Sequence, residues 1–356
     1  MTDYYLRIAK LIEEHPLNID TNVVLRGRVP NTASSDFLTH KEQGDWAEQL
    51  VLSSINAASP DYVALSYGRS DSISSGDPGF ADFYAKYQEE LNSIGKRPDI
   101  LIFKRENAPI DGIVAPDDDY LISKAIAAIE VRSSSFLSKK YAQYMEQKTQ
   151  NAEANCKALI QEILQEPYGE ILQKKNPYLF SLLEKASPTI FHELDFKLPS
   201  LRSSEELRHI SSCLKMLKEN IKILHKRDFL SITPKVEDLA LVNRWIQRYN
   251  VPHYYLQVFF DRGYILSFEN ILKISSNPDL EGAVFSIEGH DDKNQGKTTI
   301  KININEASPI IGKIDMPEHF SALKELDRGR LLFYVKFSGG QGYMDLGILE
   351  SILKNE

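Results

Sequence analysis

The chain has 356 residues, 42% of them hydrophobic, and a formal net charge of −8. That composition belongs to a globular protein of one large or two small domains; it excludes wholesale disorder and a surface that coats nucleic acid throughout. No apolar run approaches the roughly 18 residues of a membrane span. The N-terminus lacks the basic start and apolar core of a secretory signal, so the expected location is the cytoplasm. Cys156 and Cys213, the two cysteines, stand far apart. They suit a reducing compartment and make neither a disulfide framework nor a zinc site.

Near the N-terminus, Tyr5, Ile8, Leu11 and Ile12 recur at helical spacing. A polar stretch over 18–39 follows, with Arg26, Gly27 and Arg28 at its centre. The spacing of Trp46, Ala47, Leu50, Val51 and Ile55 predicts a second helix over 44–57. A strand over 62–67, a loop rich in Ser, Gly and Asp over 68–79, and a helix over 80–93 come next. Two apolar runs, 98–103 and 125–131, read as strands on either side of an acidic, proline-bearing loop. Residues 139–165 read as a long polar helix or helix pair, and 178–226 as mostly helical, broken at Pro188 and Pro199.

The texture then changes to a strand over 228–232, a helix over 235–249 and a strong strand over 251–260. Together these predict a crossover connection in a mixed sheet. A turn at 261–263 leads into a strand over 264–268. Further on, 284–287 and 298–304 form a strand pair, 318–326 a helix and 331–337 a strand. The glycines at 339, 340 and 342 make a turn without the Lys-Ser/Thr of a phosphate-binding loop.

Chemistry concentrates at the two strands of 98–103 and 125–131. Asp99 follows Pro98 at the start of the first, and Glu130 ends the apolar run 125–129 of the second. Adjacent strands that end in acids can hold a divalent metal through oxygen ligands. A metal so held polarises a phosphodiester and generates hydroxide near neutral pH. The alternative is two ordinary core strands with solvated ends.

Pro98-Asp99 followed by Glu130-Val131-Arg132 resembles the metal-dependent nuclease superfamily defined by a Pro-Asp … Asp/Glu-X-Lys motif, to which most type II restriction endonucleases belong. The run Glu130 to Ser135, with Val251-Pro252-His253-Tyr254-Tyr255 and Val258-Phe259-Phe260-Asp261, looks most like the AccI-type family. The chain departs from the superfamily at Arg132, where Lys is usual. The resemblance implies that Asp99, Glu130 and the carbonyl of Val131 bind Mg2+. It also implies that Arg132 occupies the Lys position beside the scissile phosphate. Arg does not deprotonate in a protein, so it cannot be the base, but it can fork hydrogen bonds to a phosphate. It can equally be a salt-bridge partner of Glu130 or Asp99, which would mean a non-catalytic fold.

The superfamily often carries a further Glu on the helix before the first motif strand. Glu48 is the candidate, with a solvated helix-face Glu as the alternative. Asp45, read as lying at that helix's start, suits the helix dipole.

A DNA enzyme with an acidic exterior needs a local basic surface. Lys215, Lys218 and Lys222 recur at three and four and share a helix face that can track phosphates. It can equally be a solvated face balanced by Glu205, Glu206 and Glu219. Arg26, Arg28, Lys41, Lys139 and Lys140 are further candidates. The loop 290–295, with Lys293 and Asn294, offers groups that read base edges, or is a plain hairpin tip. The histidines at 15, 40, 192, 253, 290 and 319 lack ligand spacing, and Ser133 to Ser135 have no nearby His, so zinc and serine nucleophile chemistry are not expected.

The expected fold is α/β, a mixed central sheet flanked by helices in the manner of restriction endonucleases. It forms a single nuclease domain over 1–356, with a catalytic core at 44–136 and 227–275, a helical insertion at 138–226 and a C-terminal α+β region at 276–356. The expected activity is Mg2+-dependent hydrolysis of double-stranded DNA at a short palindrome, which the AccI-type resemblance implies has two degenerate central positions. A homodimer and a cognate DNA methyltransferase are the expected partners, with no membrane. A structure-specific repair nuclease and a non-catalytic DNA-binding protein on a degenerate nuclease fold are the alternatives.

Overall fold

Ser34 caps the helix on which the central sheet packs, its hydroxyl accepting the Phe37 N–H at 3.1 Å while Asp36 occupies the first turn. A computed structural model describes residues 3–30, 32–68, 73–109, 113–225, 229–290, 297–326 and 329–354. In chain order the elements are α1 (Tyr4–Glu14), α2 (Ser35–Ala58), β1 (Tyr62–Tyr67), α3 (Phe80–Ile94), β2 (Ile100–Lys104), β3 (Ile113–Val114), α4 (Asp119–Ile122) and β4 (Ala127–Ser133). There follow α5 (Ser138–Leu164), α6 (Tyr168–Lys175), α7 (Pro177–Glu184), α8 (Glu205–His225), β5 (Ser231–Ile232), α9 (Val236–Tyr249), β6 (His253–Val258), β7 (Gly263–Ser267) and α10 (Phe268–Ser275). The last are β8 (Phe285–His290), β9 (Lys297–Asn303), β10 (Ser308–Ile314), β11 (Glu318–Leu326), β12 (Arg330–Ser338), β13 (Gly342–Met344) and α11 (Leu346–Lys354).

Two compact units result, Met1–Ser138 with Leu230–Glu356, and Lys139–Phe229. The first holds a mixed eight-stranded sheet in the order β13-β10-β7-β6-β4-β2-β1-β3, flanked by helices. At its centre β4 runs antiparallel to β2 and parallel to β6. Alternation along β4 sends Ile129 and Val131 to one face and Glu130 and Arg132 to the other. On the first face, Trp46, Leu50, Val51 and Ile55 of α2 join Ile100, Ile102, Ile129, Val131 and Leu256 in one apolar cluster. On the second, α9 buries Leu239, Val242, Trp245 and Ile246, and Trp245 meets the rings of Tyr67 and His253 edge-on. A central strand covered on both faces is why a lone polar side chain there needs a partner.

Four expectations are corrected. The second helix begins at Ser35, nine residues before Gly44, so Asp45 lies mid-helix and pairs with Lys41 at 2.7 Å instead of capping. The polar residues from 35 to 43 hid this first half, although Leu38 and Gln43 are buried. The segment 318–326 is strand β11, paired to β12 over nine rungs, with an alternation that tertiary pairing imposes on good helix formers. The two-residue strand β5 pairs β9 in a separate three-stranded sheet, so 228–260 is not a crossover within the main sheet. The parallel neighbours are β4 and β6. Finally, Glu130 is the fourth residue of β4 and not its end.

His15, after α1, tests the packing. Its Nδ1 accepts the Leu17 N–H at 3.2 Å. The Ser275 hydroxyl donates to the Ile271 carbonyl, which leaves its oxygen to accept from His15 Nε2–H at 2.7 Å. The neutral ring is thus fully satisfied and a second ring proton would face an N–H. Burial pushes the imidazole down to about 4. The neutral ring's contribution is therefore complete above the ordinary value of 6.5 and is lost as pH falls toward 4. At about 1.4 kcal/mol per pH unit it amounts to roughly 3 kcal/mol. Urea unfolding at pH 7 and pH 4.5 should show this acid loss in the native protein and a smaller one in His15→Gln.

The second unit is helical. Cys156, Ile160, Ile163, Leu172, Leu179, Leu183, Ile210, Leu214 and Leu217 form its core. Asn176 ends α6 and caps α7, accepting the Leu179 N–H at 3.1 Å ahead of Pro177 at the first helical position.

Candidate active site

Asp99 enters the sheet one residue before β2. Its N–H donates to the Ile129 carbonyl at 3.0 Å and its carbonyl accepts the Tyr67 N–H at 2.9 Å. The register Ile100↔Ile129 sets Asp99 opposite Glu130 on the neighbouring strand. Its Oδ2 accepts the Val131 N–H at 2.7 Å, so the carboxylate turns toward the motif residues of β4.

Glu130 is almost completely buried, with 3% of its surface exposed. Arg132, two residues on and on the same face, places Nη2 2.9 Å from Glu130 Oε1. Lys96 Nζ lies 2.8 Å from the same oxygen and 2.7 Å from Asp238 Oδ2. Arg132 reaches Asp238 at 3.4 Å. Two acids and two bases thus interlock beneath the sheet. Burial raises the Glu130 carboxyl, but the Lys96 ammonium and then the Arg132 guanidinium outweigh it and hold the group below the usual carboxylate range.

Neither Lys96 nor Asp238 was among the sequence candidates. Gly95 explains how they meet. It has φ +86°, and a Cβ there would lie 2.2 Å from the Leu241 carbonyl and 2.8 Å from the Trp245 nitrogen. Only glycine lets the end of α3 press against α9, where the Lys96 N–H donates to Leu241 at 3.0 Å and its side chain finds Asp238.

Glu48 lies inside α2, half-buried. Burial first, then the charges of Asp45 and Glu130, push its carboxyl up to about 7. Asp99 is raised well above the ordinary range by burial, then by Glu130 and Glu48. Asp99, Glu130 and Glu48 therefore share one electrostatic environment.

The donor chemistry of Asp99, Glu130 and Glu48 suits a hard divalent cation, although their carboxylate oxygens do not all lie within 4.8 Å of one another. Every side-chain donor is a carboxylate oxygen, the ligand type that Mg2+ takes. Glu130 Oε2 is buried with no hydrogen-bond partner. Glu130 repels both Asp99 and Glu48, and a cation beside these acids would relieve that repulsion.

A cleft of about 560 Å³ is lined by Phe83, Lys86, Tyr87, Glu90, Arg97 and Pro116 among others. Burial raises the Tyr87 phenol above its ordinary value, with Lys96 opposing the shift and Asp238 and Glu130 adding to it.

The basic candidates are spread more widely. Arg26 and Arg28 are exposed in the irregular segment before α2, and Lys139 and Lys140 are exposed in the first turn of α5. Lys215 and Lys222 are exposed on α8, whereas Lys218 donates to the Phe196 carbonyl at 2.6 Å and lies over that ring. Lys218 is thus part of the helical unit's packing. Lys293 and Asn294 lie outside the described residues.

Asp99 and Glu130 thus stand opposite each other at the centre of a mixed, helix-flanked sheet. The AccI restriction endonuclease family matches residues 1–356, and the chain belongs to that family. It is thereby a restriction endonuclease-type hydrolase acting on DNA. No curated protein and no solved structure matches the chain. Among the described residues, no helix is long and apolar enough to cross a membrane.

Proposed function

We propose that the chain is a type II endonuclease that hydrolyses double-stranded DNA at a short palindromic site, with Mg2+ bound by Asp99, Glu130, the Val131 carbonyl and, through the helix, Glu48. The reading is carried by Asp99, just before β2, standing opposite Glu130 of β4, with Glu48 in their field. Bound Mg2+ would neutralise the scissile phosphate and lower the pKa of water. Asp99 is held toward β4 by the Val131 N–H. Lys96 and Arg132 keep Glu130 ionised and fixed in rotamer, so that its second oxygen stays available as a ligand. Arg132 is 30% exposed in its side chain, and it presents donors to a phosphate at that edge. The protein would act as a cytoplasmic homodimer, matching the two-fold symmetry of a palindrome, beside a cognate methyltransferase that protects the host site.

The Arg132–Glu130 ion pair is also what a non-catalytic DNA-binding protein on this fold would keep, so Arg132 is the position to test. Arg132→Ala should abolish cleavage and leave specific binding, measured in Ca2+, nearly intact. Arg132→Lys should recover part of the activity, because charge is kept and the fork is lost. In the same assay, binding to cognate DNA should fall steeply with salt and exceed binding to unrelated duplex by about 10³–10⁷-fold. Normal cleavage by Arg132→Ala would end this role. Equal affinity for every duplex would leave the repair-nuclease or binding-protein readings.

A further inference from the structure

We propose that Glu162, His209 and Cys213 of the helical unit form a binding site for a zinc-class divalent ion that clips α5 to α8. His209 and Cys213 stand four apart on α8 and so share one face, and α5 brings Glu162 against them. Glu162 Oε1 lies 2.8 Å and Cys213 Sγ 3.5 Å from the same nitrogen, His209 Nε2, and the ligand atoms of all three residues fall within 4.8 Å of one another.

One ring nitrogen cannot serve both neighbours equally. As N–H it donates to the carboxylate and leaves the thiol to share that same carboxylate as its acceptor. As a lone pair it opposes the carboxylate. An ion at the common point takes the lone pair, the thiolate and a carboxylate oxygen together. Tetrahedral bonds of about 2.0–2.1 Å to nitrogen and 2.3 Å to sulfur separate those two atoms by roughly 3.5 Å, the spacing found here, while the 2.8 Å Glu162–His209 pair would open to roughly 3.3 Å on binding.

The surroundings suit a built site. Cys213 is buried and Tyr168 stacks on the His209 ring at 4.6 Å and 28°, fixing its plane. The side chains of His209 and Glu162 are 39% and 47% exposed, so an ion has access from solvent and a water can complete the tetrahedron. Sulfur with imidazole selects zinc over magnesium, which separates this site chemically from the all-carboxylate cluster of Asp99, Glu130 and Glu48. Cys213 was read singly in the sequence. Its i, i+4 relation to His209 is the signal that reading passed over.

Cobalt(II) titrated into the full chain in Mg2+-containing buffer is the test. One equivalent should give tetrahedral visible bands and a near-ultraviolet thiolate-to-cobalt band, both removed by added zinc. Cys213→Ser should lose the thiolate band. Glu162→Gln, at a half-exposed position, should keep its far-ultraviolet circular dichroism and bind cobalt about tenfold or more weakly. Asp99→Asn should bind as the unaltered chain does. A hydrogen-bonded trio only would give no cobalt spectrum, and that result overturns the proposal. A thiolate band that persists in Cys213→Ser, or one that disappears in Asp99→Asn, overturns it equally.

Discussion

Asp99→Asn is expected to lower the DNA cleavage rate by more than about 10³-fold, the loss of several kcal/mol of transition-state stabilisation that a metal centre supplies. Glu130→Gln should do the same. The two differ in what they leave behind. Among the described residues Asp99 forms no salt bridge, and it keeps its Val131 N–H contact through the amide oxygen of Asn, so the fold is expected to survive. Glu130→Gln removes the anion that Lys96 and Arg132 share, so stability falls with activity. Asp99→Asn is therefore the cleaner variant. DNA binding in Ca2+ should persist in it, weakened only by the lost ligand. Cleavage by Asp99→Asn within about tenfold of the unaltered protein would remove the metal-ligand assignment.

The second large effect concerns stability. Lys96→Met should lower the unfolding free energy by about 3–5 kcal/mol, the usual cost of deleting one partner of a buried ion pair. Lys96 meets Glu130 and Asp238, both largely shielded from water, so its removal strands two carboxylates next to one guanidinium. Urea denaturation gives the measurement. Lys96→Met combined with Asp238→Leu should be less unstable than the sum of the two single variants, since the second change removes an anion that the first left unpaired. Additive losses would mean that the four charges do not act as a network.

The positions proposed to carry the chemistry were legible because the motif is local. Pro98-Asp99 and Glu130 each announce themselves at a strand, and alternation alone puts Glu130 and Arg132 on one face. Glu48 could be named because α2 precedes the motif strands, although the start of that helix was masked by its polar first turns. Lys96 and Asp238 were not found. Their contact spans 142 positions, depends on a glycine at the end of α3, and leaves no periodic trace. Lys96 stands three residues before Asp99, and a basic residue so near the motif was the available clue. The β11 segment was misread for a different reason. Glu318 to Leu326 contains residues that form helices well in isolation, and only pairing with β12 over nine rungs decides the matter. In the fold at large, strands β3, β10 and β13 are held by neighbours distant in sequence and carry weak patterns of their own.

Plasmid DNA incubated with the purified protein in Mg2+ tests the central claim most directly. The account predicts a small set of discrete fragments, lost on chelation of the metal and absent with Asp99→Asn. A smear without preferred sites, or DNA left intact under the same conditions, would contradict it.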